Sequence, residues 1–179
     1  MIIFLLGYMA CGKTTLGQAV AAAGYAEFLD LDEAIAKKSG LTAAEWFATR
    51  GEAAFRAAER ATLEEICRAH RGDGKPLVVA CGGGTPCQAG LMELMNESGL
   101  TVWLRASLDR TVARLLEADG KRPLVAGMDE GTLRAFIPGH LSERESWYGK
   151  SQMTFDSTYL DTREEVEATV ALFKEQLKI

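Results

Sequence analysis

The sequence predicts an α/β domain of the three-layer P-loop NTPase type, a parallel sheet with helices on both faces, and three observations lead there. Five short apolar runs of strand length alternate with stretches of helical character, the pattern of a sheet whose crossovers are helices. The first run leads directly into Gly7 to Thr15, GYMACGKTT, which fits G-x-x-x-x-G-K-[ST], a loop whose backbone N–H groups cradle phosphates. The chain has 179 residues, 47% hydrophobic and 25% charged, which suits one globular domain over 1–179 with its own core.

Taken in order, Ile2 to Leu6 is an unbroken apolar pentad, as expected of a central strand buried on both faces. It is too short for a signal-peptide core and lacks a basic flank and a cleavage site, so the expected location is the cytoplasm. A helix over Lys13 to Ala22 follows the loop. The second strand is expected at Ala26 to Leu29, then helices at Asp32 to Lys38, Ala43 to Thr49 and Glu52 to Ala69. Pro76 to Ala80 reads as the third strand and runs into Cys81 and three glycines. A helix over Ala89 to Asn96, a strand at Leu100 to Leu104 and a helix at Leu108 to Ala118 continue the alternation. Asp119 to Gly131, DGKRPLVAGMDEG, breaks it with glycines, a proline and charges, and predicts a mobile lid over about 119–131. Helix Gly131 to Arg144, strand Gln152 to Phe155 and helix Arg163 to Lys178 complete the chain.

Parallel sheets bind ligands beyond the carboxyl ends of their strands. The phosphate loop, Asp30-Leu31-Asp32 and Cys81 to Gly84 should therefore face one crevice. Lys13 is placed to neutralise the β/γ-phosphates and Thr14 to offer its hydroxyl to Mg²⁺. Asp30 and Asp32, one residue apart, share a side if the strand stays extended, and two carboxylates there can divide labour between a metal-water shell and an acceptor hydroxyl. As plain helix caps they would serve the following helix instead. Gly82, Gly83 and Gly84 imply unusual torsions or close approach of a ligand. Arg56 and Arg60 lie one helical turn apart, with Glu59 at i+3 from Arg56 to orient it. Arg114, Arg122 and Arg144 lie in or beside the lid region, where a guanidinium fork suits phosphate or carboxylate. Trp46, Trp103 and Trp147 are expected in the core or at its edge.

The formal charge of −5 with scattered basic residues argues against a nucleic-acid surface, and nothing approaches an 18-residue apolar run, so no membrane partner is expected. Cys11, Cys67, Cys81 and Cys87 have no metal-ligand or disulfide spacing and are expected as reduced thiols. Cys11, inside the loop near a helix N-terminus, is a candidate for oxidation.

The ordered set GYMACGKTTLG, FLDLDEAI, GEAAFRAAE, CGGGTP, KRPL and RESWY resembles the shikimate kinase family over nearly the whole chain. The resemblance implies a nucleoside-monophosphate-kinase-like fold with five parallel strands in the order 2-3-1-4-5. It implies transfer of the γ-phosphoryl of ATP to the 3-hydroxyl of shikimate, a step towards chorismate and the aromatic amino acids, with Mg²⁺ as the metal. On this basis Lys13, Asp32 and Arg122 are the expected catalytic residues, with Asp32 holding the acceptor hydroxyls and acting as base. ATP is expected on Gly7, Met9, Ala10, Cys11, Gly12, Lys13, Thr14 and Thr15, with Arg114 on the adenine and Arg122 reaching from the lid. Shikimate is expected on Asp32, Arg56, Gly83, Gly84 and Arg144, the two arginines clamping its carboxylate. Mg²⁺ is expected on Thr14 and, through water, Asp30. The family's usual R-x-P-x-Y reads Arg144-Glu145-Ser146-Trp147-Tyr148 here. A monomer is expected, as no exposed apolar stripe is evident.

Two other readings use the same loop. Another small-molecule P-loop kinase, such as a gluconate kinase, would also phosphorylate a polyhydroxy acid. A nucleotide-dependent switch domain would hydrolyse without an acceptor, and would leave Arg56, Arg144 and the glycine run without a joint purpose.

Overall fold

The computed structural model describes residues 1–70, 74–118 and 122–179. Its five strands are β1 (Ile2–Leu6), β2 (Glu27–Asp30), β3 (Leu77–Ala80), β4 (Gly99–Arg105) and β5 (Met153–Asp156). All pair in parallel in the order 2-3-1-4-5, as the resemblance implies. Alternation along β1 splits the core: Ile2, Phe4 and Leu6 face one apolar cluster and Ile3 and Leu5 the other, all at 1% exposure or less. Helices cover both faces, so the central strand has no polar side to show.

The helices are α1 (Lys13–Ala22), α2 (Leu31–Ser39), α3 (Ala43–Ala69), α4 (Leu91–Ser98), α5 (Leu108–Glu117), α6 (Glu130–Tyr148) and α7 (Arg163–Leu177). Their starts follow capping chemistry. Thr42 and Thr162 each form a reciprocal box with the glutamate three residues on, satisfying two otherwise orphan N–H groups. The helices expected over 43–49 and 52–69 meet at a kink inside α3, at Gly51, whose φ of 81° and ψ of 167° are not helical. Only glycine adopts that torsion cheaply, so the chain turns there between the two helical stretches. The helix expected to stop at Arg144 continues through Tyr148.

The segment 119–131 is only partly described, since 119–121 lie outside the described residues. From Pro123 to Val125 it forms a 3-10 turn, and residues 130–131 already belong to α6. Val125 is 7% exposed and packs in a third apolar cluster with Tyr8, Val112, Leu115, Leu133 and Ile137. That cluster seats the front of the phosphate loop on α5 and α6. Of the tryptophans, Trp46 is buried and Trp103 and Trp147 are half-buried, as expected. Among the described residues no helix is long and apolar enough to cross a membrane.

Candidate active site

The carboxyl ends of β1, β2 and β3 open onto a cleft of about 600 Å³. Its floor is the phosphate loop, where the backbone takes three left-handed torsions in succession of need: Gly7 at φ 137°, Ala10 at 59° and Gly12 at 98°. A Cβ on Gly7 would lie 2.5 Å from the Leu104 carbonyl oxygen, and one on Gly12 at 2.5 Å from Leu160 Cδ1. Both glycines are therefore fixed by torsion and by space. No side chain caps α1, which leaves its first N–H groups for an anion. Lys13 Nζ donates to the carbonyls of Gly7 and Tyr8 at 2.9 Å each. It also meets Cys11 Sγ at 3.7 Å, a weak acceptor that a phosphate oxygen would outcompete. Met9, Ala10, Gly12, Lys13, Thr14 and Thr15 line the cleft. Gly7 and Cys11 do not. Cys11 is 2% exposed and packs into the core, so the expected oxidation-prone thiol is shielded from solvent.

Thr14 Oγ1 donates to Asp30 Oδ2 at 2.9 Å, while Asp30 Oδ1 accepts from the N–H groups of Asp32 and Glu33 at 3.0 and 3.3 Å. Asp30 thus caps α2 and faces the loop at once. The expected geometry for the pair is corrected here. Asp30 ends β2 and Asp32 lies in the first turn of α2, so the two carboxyls reach the same cleft through the cap and not through strand alternation. Asp32 is reached by solvent from the cleft mouth yet crowded by protein. Burial first, then the carboxylates of Asp30 and Glu59, push its carboxyl up to about 6, against the opposing pull of Lys13 and Arg56.

Beyond the glycine run lies a second pocket of about 390 Å³, lined by Glu52, Arg56, Gly84, Gln88, Glu143 and Arg144 among others. Gly82 and Gly83 line the main cleft and Gly84 the second pocket, so the run borders both. Gly84 makes room for the guanidinium: a Cβ there would sit 2.6 Å from Arg56 Nη2 and push that side chain aside. Arg56 Nη1 donates to Glu59 Oε2 at 2.8 Å, and its Nε and Nη2 approach Glu52 Oε1 at 3.4 and 3.3 Å. Glu59 is fully buried. It also accepts from Gln88 Nε2 at 2.5 Å and from the hydroxyl of Thr85, so its lone pairs are met and it anchors Arg56 to the turn after the glycines. Arg60, considered beside Arg56, points away from the pocket and donates to the Ala89 carbonyl.

Arg144 Nη1 donates to the His140 carbonyl at 2.8 Å and lies 3.5 Å from Glu143 Oε2. One turn further on, Tyr148 Oη donates to the Gly83 carbonyl at 2.7 Å. Arg122 is exposed and lines the main cleft. Arg114 also lines it, but its donors are spent on the protein. Nε donates to Asp161 at 2.5 Å, Nη1 to the Ala10 carbonyl at 3.2 Å and Nη2 to the Thr158 carbonyl at 2.7 Å. It ties the phosphate loop to the β5–α7 connection, and a ring could meet only its flat face. Ser157 Oγ adds a buried bond to the Cys11 carbonyl at 2.7 Å. Leu160 and Asp161 line the cleft as well; sequence reasoning missed them, because one leucine and one aspartate in a connection carry no motif.

Oxygen donors suit Mg²⁺, and Thr14 and Asp30 present two side by side. Among the described residues no cluster of three His, Cys, Asp or Glu could hold a metal alone. That fits an ion that keeps waters and leans on phosphates.

A family model described as shikimate kinase matches residues 9–174. A shikimate kinase of Bacteroides thetaiotaomicron is 38% identical over 177 residues, covering 99% of this chain and 98% of its own. One of Parabacteroides distasonis is 38% identical over 164 residues, covering 92% of each chain. The crystal structure of shikimate kinase from Bacteroides thetaiotaomicron superposes with a TM-score of 0.90 at 37% identity, covering 100% of this chain and 99% of that one. That of Acinetobacter baumannii shikimate kinase in complex with shikimate gives 0.79 at 28% identity, covering 99% and 93%.

Proposed function

The chain belongs to the shikimate kinase family, and from that premise we infer that it transfers the γ-phosphoryl group of ATP to the 3-hydroxyl of shikimate, on the route to chorismate. The observation that carries this reading is the glycine run, which borders both the cleft of the phosphate loop and Asp32 and the adjoining pocket of Arg56 and Arg144. A small acid bearing hydroxyls needs a carboxylate for its reacting hydroxyl and guanidinium forks for its anionic end.

On this reading the triphosphate lies over the N–H groups that open α1, and Lys13 adds its ammonium to the terminal phosphates. Arg122 covers them from residues 122–131, the described part of the expected lid. Thr14 and, through water, Asp30 would hold Mg²⁺, which would supply positive charge to offset that of the phosphates. Arg56, held by Glu59, and Arg144 grip the acceptor carboxylate, while Gly83 and Gly84 leave room for the ring. Asp32 accepts the hydroxyl proton as the oxygen meets the γ-phosphorus. Crowding by protein and by two other carboxylates makes it a stronger base than an ordinary aspartate, as its raised value requires. Little covalent chemistry remains, so positioning and charge stabilisation supply the rate. Arg114 bounds the adenine end. The protein acts in the cytoplasm as a monomer, without nucleic acid or membrane.

The test is ADP release from Mg-ATP by the purified protein with shikimate, gluconate or quinate. Stimulation by shikimate alone is expected. Equal stimulation by gluconate would favour a broader polyol-acid kinase, and ATP turnover indifferent to all three would favour a switch.

A further inference from the structure

Helix α6 meets the site three times on one face, at intervals of four residues: His140, Arg144 and Tyr148. Arg144 belongs to the acceptor pocket and Tyr148 holds the glycine run. His140 reaches neither, and no motif singles it out. Its Nδ1 lies 2.8 Å from Tyr8 Oη, and Tyr8 is the second residue of the phosphate loop.

Tyr8 is 5% exposed. Its phenol is pushed up to about 12, by burial first, so it keeps its proton and donates to Nδ1 in the tautomer that carries the ring proton on Nε2. His140 is held below its ordinary value by burial and by Arg144, which keeps the ring neutral and able to accept. Phe136 stacks on the imidazole at 4.9 Å and 28°, and Tyr8 meets it edge-on at 5.5 Å. The ring therefore has little freedom to turn.

The two ends of this contact are each one bond from a substrate group. The carbonyl of Tyr8 accepts from Lys13 Nζ, and the carbonyl of His140 accepts from Arg144 Nη1. A phosphate that draws Lys13 off Tyr8 alters the loop at the residue tied to α6. A carboxylate that draws Arg144 off His140 alters α6 at the residue tied to the loop.

We propose that Tyr8 and His140 are a positioning pair that couples the two substrate sites, so that nucleotide in the phosphate loop and carboxylate at Arg144 strengthen each other's binding through this one side-chain hydrogen bond. The inference rests on the acceptor reading given above. Neither residue touches a substrate; each acts through a group that does. By linkage the same factor must appear in both directions, in shikimate affinity with nucleotide and in nucleotide affinity with shikimate.

The experiment is calorimetric titration of shikimate into the full chain, with and without a non-hydrolysable ATP analogue and Mg²⁺, for wild type, Tyr8→Phe, His140→Asn and the double variant. A neutral hydrogen bond of ordinary net strength supports a coupling factor of about three to ten. Wild type should show that factor. Tyr8→Phe keeps the packed ring and loses only the hydroxyl; its factor should fall close to one, with the affinity for either ligand alone changed less than about twofold. His140→Asn, which can keep an oxygen near the Nδ1 position, should retain part of the coupling and lose it when Tyr8→Phe is added. Unchanged coupling in Tyr8→Phe, or none in wild type, would overturn the inference while leaving the acceptor reading intact. A wild type that binds nucleotide but no shikimate would overturn the acceptor reading, and the inference with it.

Discussion

Turnover should switch on with pH through Asp32. Its carboxyl sits at about 6 because burial, Asp30 and Glu59 all disfavour its charge. At pH 5 about one molecule in eleven carries the ionised base, and at pH 7.5 nearly all do, so the rate should rise about tenfold along a single acid limb. The assay is kcat/KM with both substrates well below saturation, where the profile reports the free enzyme. Mg²⁺ is kept in excess so that the terminal phosphate of ATP does not titrate in the same range. The cause can be tested apart from the value. Glu59→Gln and Asp30→Asn each remove a carboxylate that raises Asp32, so each should move the limb to lower pH. A flat profile from pH 5 to 7.5 would refute Asp32 as the base. A limb unmoved in both variants would refute the electrostatic account of its value.

Asp32→Asn should abolish turnover and keep ATP binding. Because the folded-state value lies above that of an unfolded aspartate, the native form favours protonated Asp32, and this advantage is full below about pH 3.8 and lost as pH rises through about 6. The asparagine variant should therefore gain Tm at pH 7.5 and gain less at pH 5, as thermal melts at the two values would read. Arg56→Ala should raise KM for shikimate about tenfold to hundredfold with a smaller change in kcat, the loss expected for a charge-assisted fork. Gly84→Ala should give a weaker form of the same defect, since its Cβ would meet Nη2 at 2.6 Å and displace the guanidinium; unaltered KM in both would remove Arg56 from the acceptor site. Glu59→Ala leaves Arg56, Thr85 and Gln88 without their shared acceptor, a loss of about 2–4 kcal/mol. For a chain of this size that lowers Tm by about 5–12 °C in a melting curve.

The central strand and the phosphate loop were legible because each has a local cause: an apolar pentad, a fixed glycine pattern, a lysine; the strand order came from the family resemblance alone. Lys13, Thr14, Asp30, Asp32, Arg56 and Arg144 could be named because short motifs carry them, and the cleft and its neighbouring pocket gather all six. What escaped the sequence depends on partners far along the chain. Glu59 could be named at i+3 as a partner that orients Arg56, but not its burial, which Thr85 and Gln88, 26 and 29 residues away, complete. Arg114 reads as a free guanidinium until Ala10, 104 residues before it, and Asp161, 47 after it, claim its donors. The Tyr8–His140 contact spans 132 residues.

Arg56 meets its expected ligand already engaged. Glu52, 70% exposed, leans on its outer edge while Glu59 holds the inner one, and Glu143 stands beside Arg144. Three glutamates thus offset two arginines, in a chain whose overall charge is itself negative. An arriving acid is not drawn from a distance by a positive field; it must evict a glutamate from a fork of the right shape. Its association rate should depend little on ionic strength, and selection happens at contact, where an anion that cannot match the fork has no reason to displace the one already there.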